Sequence, residues 1–429
     1  MDANRRRRRN LIQNIAIAAL SLSAVLLFAQ LQIYNLAPPE DSHYLDRLMG
    51  TLSDDSPTQL REFPAPVRVV ITDSYGRYGN LSLSTASADF SALGLREALG
   101  SVPQVTASTL DSFRSALSGA SIYFDFLNPL PLSVLAELIG AEGTALTGSA
   151  RCLLLSSGAE NSVRLYLWDG ADGVFCGTVP YTSLSAETLT ERVSQTGMEG
   201  VSFAFDDVEV NPLYGSLFPL SLLPTELPDL PVLSAAAAAV DTDQLLPVFG
   251  FNANTRERYL EADGTEVITE AENGRSLHIR PGGEVVYRGG IKSPLEITAQ
   301  DELPTEAEAA LGAGLLLRQL TRDLIGEAGL YLTSVQQSGD TTLLQYDYQI
   351  NGTPIRFSDG SCAAEVVLTG TSITGLTVRL RQYRASGDSS LLLPLRQALA
   401  IAAERPGVEL SLGYADGGGS TVSAGWLAD

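Results

Sequence analysis

The chain has 429 residues, which at about 100 to 200 residues per domain predicts two or three domains besides any terminal anchor. Its 50 acidic residues outnumber its 28 basic residues and give a formal net charge of −22, so nucleic acid and anionic polymers are disfavoured as partners. Three cysteines are too few for a disulfide scaffold or a cysteine-rich zinc site.

The first segment joins a run of arginines to an apolar stretch. The basic run consists of Arg5, Arg6, Arg7, Arg8 and Arg9. The 23 residues 11–33 would form a helix about 34 Å long, enough to cross a hydrocarbon core of about 30 Å. We therefore predict a single-pass protein of the cell membrane, with a cytoplasmic tail (1–10), a transmembrane helix (11–33) and an extracytoplasmic remainder.

The apolar stretch also differs from a cleaved secretory signal. Such a signal has a shorter apolar core followed by small residues, whereas the best small-residue site, Ser21-Leu22-Ser23, lies inside the run. Ser21 and Ser23 are instead candidate contacts with a second transmembrane helix, because small hydroxyl side chains allow close approach. The alternative is that they are ordinary small residues of a spanning helix.

Residues 34–65 contain prolines and acidic residues, which predict a membrane-proximal linker. Residues 66–210 then predict an N-terminal α+β domain. Strand-like segments occur at 67–73, 80–84, 121–126, 151–157, 163–169, 174–180 and 201–207. Apolar residues at helical spacing occur at 87–100, 108–119, 131–140 and 185–197.

The second half of the chain predicts antiparallel sheets with packed helices. Residues 211–240 predict a proline-rich connection, and residues 241–303 predict a central β-rich domain, because Asp-Gly, Asn-Gly and Gly-Gly pairs separate its strand-like pieces. Residues 304–429 predict a C-terminal helix-plus-sheet domain. Its first helix begins with a capping box formed by Thr305 and Glu308.

The segment YDYQINGTPIRF predicts a β-hairpin closed by a two-residue turn at Asn351 and Gly352. Its expected cross-strand pairs are Ile350 with Thr353, Tyr348 with Ile355 and Tyr346 with Phe357. Because Pro354 has no N–H, its strand should be an edge strand or be unpaired at that residue.

Residues suited to catalysis are sparse, so we predict a protein that is not an enzyme and that has no cofactor or metal. His43 and His278 are interpreted as exposed polar residues, and no serine, cysteine or lysine motif predicts a nucleophile. Three pairs of acidic residues could in principle bind calcium, but none is followed by the other ligands of an EF-hand loop at the required spacing. The pairs are Asp54 with Asp55, Asp206 with Asp207, and Asp241 with Asp243. Cys152 and Cys176 form a disulfide or stay free.

Three C-terminal segments resemble the YycH/YycI family of membrane-anchored accessory proteins of the WalK (YycG) sensor kinase. They are YQINGTPIRFSDG (348–360), LLPLRQALAIA (392–402) and ELSLGYADGGGSTVSAGW (409–426). The resemblance implies a non-enzymatic regulator of a two-component system in the Gram-positive cell envelope. It would contact a sensor histidine kinase, and a paralogous accessory protein, through its transmembrane helix and external domains.

Two other functional classes compete with this one. The first is an envelope ligand-binding or assembly module with another partner, which a closed pocket would favour. The second is a carboxylate-based envelope hydrolase, which two acids of raised pKa in a cleft would favour. Neither the direction of the regulatory effect nor the oligomeric state follows from the sequence.

Overall fold

A computed structural model describes residues 67–74, 76–80, 94–102, 104–139, 141, 146–158, 160, 162–171, 173–179, 185–194, 199–252, 254–290, 295–297 and 303–428. The described residues form an α+β fold with mostly antiparallel sheets. None of their helices has the length and apolar character needed to cross a membrane. The predicted tail, transmembrane helix and linker lie outside the described residues.

Nine of the described strands form the first sheet, in the order β3-β7-β6-β5-β4-β1-β2-β8-β9. These strands are β1 (Arg68–Thr72), β2 (Arg77–Asn80), β3 (Thr106–Ser108), β4 (Ser121–Pro131), β5 (Ser149–Ser157), β6 (Val163–Trp168), β7 (Val174–Val179), β8 (Glu199–Phe203) and β9 (Leu222–Pro224). The helices between them are α1 (Leu95–Ser101), α2 (Leu110–Leu117), α3 (Leu132–Leu138) and α4 (Ala186–Ser194).

Side-chain alternation along the strands gives this sheet a core on each face. Ile122 and Phe124 of β4 lie in one cluster with residues of α1 and α3, whereas Tyr123 lies in another with residues of α2. The strand predicted at 201–207 ends early, at Phe203. Its continuation is a 3-10 helix, Ala204–Asp206, because the Asp206 carboxylate accepts a hydrogen bond from the Phe203 N–H at 3.0 Å.

The segment predicted as a connection, 211–240, contributes to both halves of the fold. It contains a 3-10 helix (Pro212–Ser216), strand β9 of the first sheet and strand β10 (Pro231–Ala237). Strand β10 lies between β21 (Arg381–Ser389) and β23 (Thr421–Val422) in a three-stranded sheet. The proline-rich segment is therefore an ordered part of the fold.

Twelve described strands form the second sheet, with a path β11-β12-β13-β14-β20-β19-β17-β18-β22-β24 and two further pairings, β15 with β20 and β16 with β17. They are β11 (Glu257–Leu260), β12 (Glu266–Glu270), β13 (Arg275–Ile279), β14 (Glu284–Arg288), β15 (Leu295–Glu296), β16 (Gly329–Ser338), β17 (Thr341–Ile350), β18 (Thr353–Phe357), β19 (Ala364–Thr369), β20 (Ser372–Arg379), β22 (Leu410–Asp416) and β24 (Ala424–Ala428).

The segments predicted as a central and a C-terminal domain share this second sheet, because β14 pairs with β20 over five residue pairs. Three helices accompany it: α5 (Thr242–Val248), α6 (Glu306–Thr321) and α7 (Leu395–Ala402). Helix α6 begins with the predicted capping box, in which Glu308 N–H donates to Thr305 Oγ1 and Thr305 N–H donates to Glu308 Oε2.

The hairpin of β17 and β18 has a two-residue turn with positive φ at both positions, 49° at Asn351 and 81° at Gly352. Its pairs are Ile350–Thr353, Gln349–Pro354 and Tyr348–Ile355. The predicted Tyr346–Phe357 pair is wrong, because Tyr346 pairs instead with Ala364 of β19.

Strand β18 is an interior strand between β17 and β22. Its parallel pairing with β22 begins at Ile355, one residue after Pro354. The missing N–H of Pro354 therefore falls outside that ladder, which is the second of the two arrangements expected for this residue.

Candidate functional site

Three neighbouring strands of the first sheet place charged side chains together. Arg68 of β1 pairs with Asp125 of β4. Arg151 of the neighbouring strand β5 lies beside Asp125. Arg151 donates from Nε and Nη2 to the two oxygens of Asp125, both at 3.1 Å, and Arg68 Nη1 lies 3.6 Å from Asp125 Oδ2. The Asp125 side chain is 1% exposed, so this carboxylate is fully enclosed by its partners.

The fourth charged group comes from the other half of the chain. Glu409, directly before β22, accepts hydrogen bonds from Arg68 Nη1 at 2.9 Å and from Arg151 Nη2 at 2.9 Å, and its Oε2 lies 2.7 Å from Arg151 Nη1. We call these residues, Arg68, Asp125, Arg151 and Glu409, the charge quartet. Because two arginines balance two carboxylates, the quartet is neutral.

Neighbouring backbone contacts position Glu409. Phe218 N–H donates to the carbonyl of Val408 at 2.8 Å, and Leu410 N–H donates to Ser221 Oγ at 3.3 Å. The segment after the 3-10 helix Pro212–Ser216 therefore supports the residues on both sides of Glu409. This support holds the carboxylate of the second half against the arginines of the first.

The quartet keeps its carboxyl groups ionised. Burial alone would raise the pKa of Asp125, but the charges of Arg151 and Arg68 hold that pKa below its usual value. Burial opposes ionisation of Glu409 in the same way, and Arg68 and Arg151 again lower the pKa below its usual value. The two guanidinium groups therefore favour the ionised form of both acids.

Strand β4 bulges beside the quartet. Its pairing with β5 passes from Asp125–Cys152 to Leu130–Ala150, so residues 126–129 lie opposite Arg151 alone. Within this bulge Leu127 has φ of 65°, a left-handed conformation that costs a branched residue on the order of 1 to 3 kcal/mol. Its N–H donates to Asp125 Oδ1 at 2.8 Å, which helps to hold this strained conformation.

A pocket of about 320 Å³ opens between the two halves at this point. Its lining residues come from both sheets and from the segments around them: Arg68, Leu127, Asn128, Arg151, Gly170, Phe218, Arg356, Gly407 and Glu409. The ring of Phe218 stacks on Trp168 with centroids 5.3 Å apart, and the guanidinium of Arg151 lies over both rings. The pocket therefore combines an aromatic wall with three guanidinium groups.

Several acids and cysteines considered from the sequence have structural roles. Asp206 accepts from Phe203 N–H, and Asp241 caps α5 by accepting from Asp243 N–H at 3.1 Å. No cluster of three potential metal ligands occurs among the residues that the structure describes. Cys152 and Cys176 are free thiols, and β6 lies between their strands.

The remaining sequence-predicted residues lie elsewhere. Asn351 and Gly352 form the β17–β18 turn and are not among the pocket residues. His43 lies outside the described ranges. The candidate topology and helix-contact residues also lie outside them: Arg5, Arg6, Arg7, Arg8, Arg9, Ser21 and Ser23. His278 is on β13 and is half-buried in the second sheet, so its interpretation as an exposed residue is wrong.

Sequence reasoning missed the quartet. One signal was available, because Asp125 interrupts the otherwise apolar strand segment SIYFDF, and an isolated acid inside a buried strand needs a partner. Nothing in the sequence linked that acid to Glu409, which is 284 residues further along the chain. A contact at that separation depends on how the two sheets meet.

Comparison with protein-family models gives no match, and comparison with curated proteins gives none either. The resemblance to the YycH/YycI family therefore stays a prediction. It rests on residues that form the β17–β18 hairpin, α7 and β22 to β24.

Proposed function

We propose that the protein is a membrane-anchored extracytoplasmic regulator that acts by binding, and that its partner is a sensor histidine kinase. The observation that carries this proposal is the arginine run 5–9 directly before the 23 apolar residues 11–33. A basic run on one side of a spanning helix keeps that side in the cytoplasm. The other side would present residues 34–429, which contain 23 basic and 49 acidic residues.

The architecture supports a binding role for the described residues. Residues of both sheets contribute to one hydrophobic cluster, and the charge quartet adds a polar connection between the halves. Arg68 belongs to β1, the first described strand after the predicted linker. A partner that displaces the second half would thus act, through Glu409 and Arg68, on the strand that follows the predicted linker in the chain.

The choice of a kinase as partner rests on the family resemblance alone. In this proposal the transmembrane helix packs against a helix of the kinase, and the external domains contact its extracytoplasmic part. Interhelical hydrogen bonds in membranes contribute about 0.6 kcal/mol each on average. Two such bonds, one from Ser21 and one from Ser23, would then change the association by about eightfold, so the external contacts must supply the rest.

The proposal is tested by replacing residues 11–33 with an all-leucine span of the same length. We expect the protein to stay in the membrane fraction, while copurification of the kinase weakens and response-regulator phosphorylation changes. The double variant Ser21→Leu with Ser23→Leu should reproduce part of this effect. The matched control Leu22→Ile leaves both hydroxyl groups in place and should have none.

Two outcomes count against the proposal. Unchanged response-regulator phosphorylation after deletion of the gene would exclude a regulatory role. A reporter that is active only outside the cytoplasm, fused after Asp429, should be active; an inactive reporter would exclude the predicted topology.

A further inference from the structure

The charged groups around the pocket between the sheets are paired with one another. The two arginines and two carboxylates of the quartet balance each other. The other charged residue of the lining is Arg356, and the register of the β17–β18 pairs, continued by one residue, places Asp347 opposite it. Burial raises the pKa of Asp347, and the charge of Arg356 opposes that rise. The pocket therefore has no surplus charge of either sign.

This charge balance favours an uncharged ligand. An ion entering the pocket would lose its hydration and meet no unpaired charge of the opposite sign. It would also approach a like charge, since guanidinium groups and the Glu409 carboxylate both line the pocket. An uncharged polar ligand meets neither obstacle. A guanidinium carries more N–H donors, and a carboxylate more acceptor sites, than one ion pair uses, so the same groups still offer hydrogen bonds to hydroxyl groups.

Two lining residues add uncharged contacts. Trp168 covers one face of the Phe218 ring, with centroids 5.3 Å apart, and the remaining surface of the half-buried Phe218 borders the pocket. Asn128 is half-buried on the bulge of β4, and no hydrogen bond within the described part of the chain engages its amide. An amide offers both an acceptor oxygen and N–H donors. The pocket thus joins an apolar aromatic surface to an open polar group.

The pocket has room for a small ring. A Cβ atom added to Gly407 would meet no atom of the described residues within 4 Å apart from its chain neighbours, so open space lies over this residue. The volume of about 320 Å³ corresponds to roughly ten water molecules, close to the number of non-hydrogen atoms in a hexose. A pyranose ring carries hydroxyl groups around its rim and C–H bonds on its faces. Those C–H bonds, of partial positive charge, pack on the negative face of an aromatic ring.

We infer that this pocket binds an uncharged saccharide unit, with a C–H face of the ring on Phe218 and a hydroxyl group hydrogen-bonded to the amide of Asn128. Arg151 and Glu409 bind further hydroxyl groups without losing their counter-ions. A sugar that carries a carboxylate or an ammonium group is disfavoured, because its charge has no unpaired partner. The inference goes beyond the proposed function, since saccharide binding does not require a kinase.

The test uses the purified full-length protein in lauryldimethylamine oxide, a detergent without a sugar headgroup. Glucose, galactose and N-acetylglucosamine are the uncharged probes, with glucuronate and glucosamine as anionic and cationic counterparts at constant ionic strength. Binding is measured by NMR, through saturation transfer from the aromatic protons of the protein. We expect at least one uncharged sugar to give a saturable signal, strongest at its ring C–H protons, and the charged counterparts to bind more weakly.

Two substitutions assign the signal to the pocket. Asn128→Ala should weaken binding by roughly two- to tenfold, because it removes a hydrogen bond between uncharged groups. Phe218→Leu should weaken binding by about twofold or more and reduce the transfer to ring protons, whereas Phe218→Tyr should preserve both. The matched controls Asn254→Ala and Phe175→Leu make the same changes at exposed positions outside the pocket and should bind as the wild type does.

Three results would overturn the inference. Absence of a saturable signal with all three uncharged sugars excludes the ligand class. Binding of glucuronate or glucosamine as tight as that of glucose excludes selection for an uncharged ring. Unchanged affinity in Asn128→Ala and Phe218→Leu places the ligand outside this pocket, and Asn128→Ala alone decides this point if Phe218→Leu does not fold. Because kinase copurification is not measured here, failure of this test leaves the proposed regulatory function to its own experiments.

Discussion

Glu409→Gln should destabilise the folded protein strongly, although it only replaces one carboxylate oxygen with an NH2 group. Glu409 accepts from Arg68 Nη1 and from Arg151 Nη2, and Arg151 Nη1 is close to its second oxygen. A glutamine keeps one acceptor oxygen, but its NH2 group would point at a guanidinium. The substitution also leaves two buried arginines with Asp125 as their only counter-ion within the quartet.

The size of the effect follows from burial. The side chains of Arg68, Arg151 and Glu409 are 5%, 12% and 13% exposed, so water replaces few of the lost contacts. Removing one partner of a buried ion pair costs roughly 3 to 5 kcal/mol. The pocket beside the quartet admits some solvent, so we expect a loss near the lower end, about 3 kcal/mol of unfolding free energy.

Urea unfolding followed by circular dichroism measures this loss. Glu404→Gln is the matched control, because Glu404 is exposed, lies five residues earlier and undergoes the same chemical change. It should shift the free energy of unfolding by less than about 0.5 kcal/mol. A loss below about 1 kcal/mol for Glu409→Gln, or a loss equal to that of the control, would refute the assignment of Glu409 to a buried ionised pair.

Three further predictions test other parts of the fold. The pKa values of Asp125 and Glu409 are lowered in the folded state, so their contribution to the free energy of unfolding should be complete above about pH 4.3 and should be lost as pH falls through the folded-state pKa values. In Glu409→Gln the urea midpoint should therefore depend less on pH below about 4.3. Gly352→Val should lower the free energy of unfolding by roughly 1 to 3 kcal/mol because φ is positive there, whereas Asn351→Asp should be nearly silent in the same urea titration. Mass spectrometry after alkylation should show that Cys152 reacts only once the protein is unfolded, since this thiol is fully buried.

Local signals predicted the elements that depend on neighbouring residues. The turn at Asn351 and Gly352 needs only two residues that tolerate positive φ, and the capping box of α6 needs only Thr305 and Glu308 at the right spacing. Both arrangements are complete within a few residues. Sequence patterns are informative for such elements because no distant contact has to be known.

Non-local strand pairing is what the local patterns did not identify. Tyr346 pairs with Ala364 because β19, and not the continuation of β18, lies beside that part of β17. In the same way, β14 pairs with β20, so two segments separated by a helix become one sheet. Strand pairing is a choice among all available edges, and alternation of apolar residues does not identify the partner.

The charge quartet shows why a site between two sheets is hard to infer from sequence. A buried ion pair contributes little net stability compared with apolar packing, because desolvation offsets most of its attraction. Its physical effect is specific: only one relative placement of the sheets brings Glu409 onto Arg68 and Arg151, and every other placement leaves buried charges without counter-ions. The apolar cluster shared by both halves favours their association, whereas the quartet determines their register.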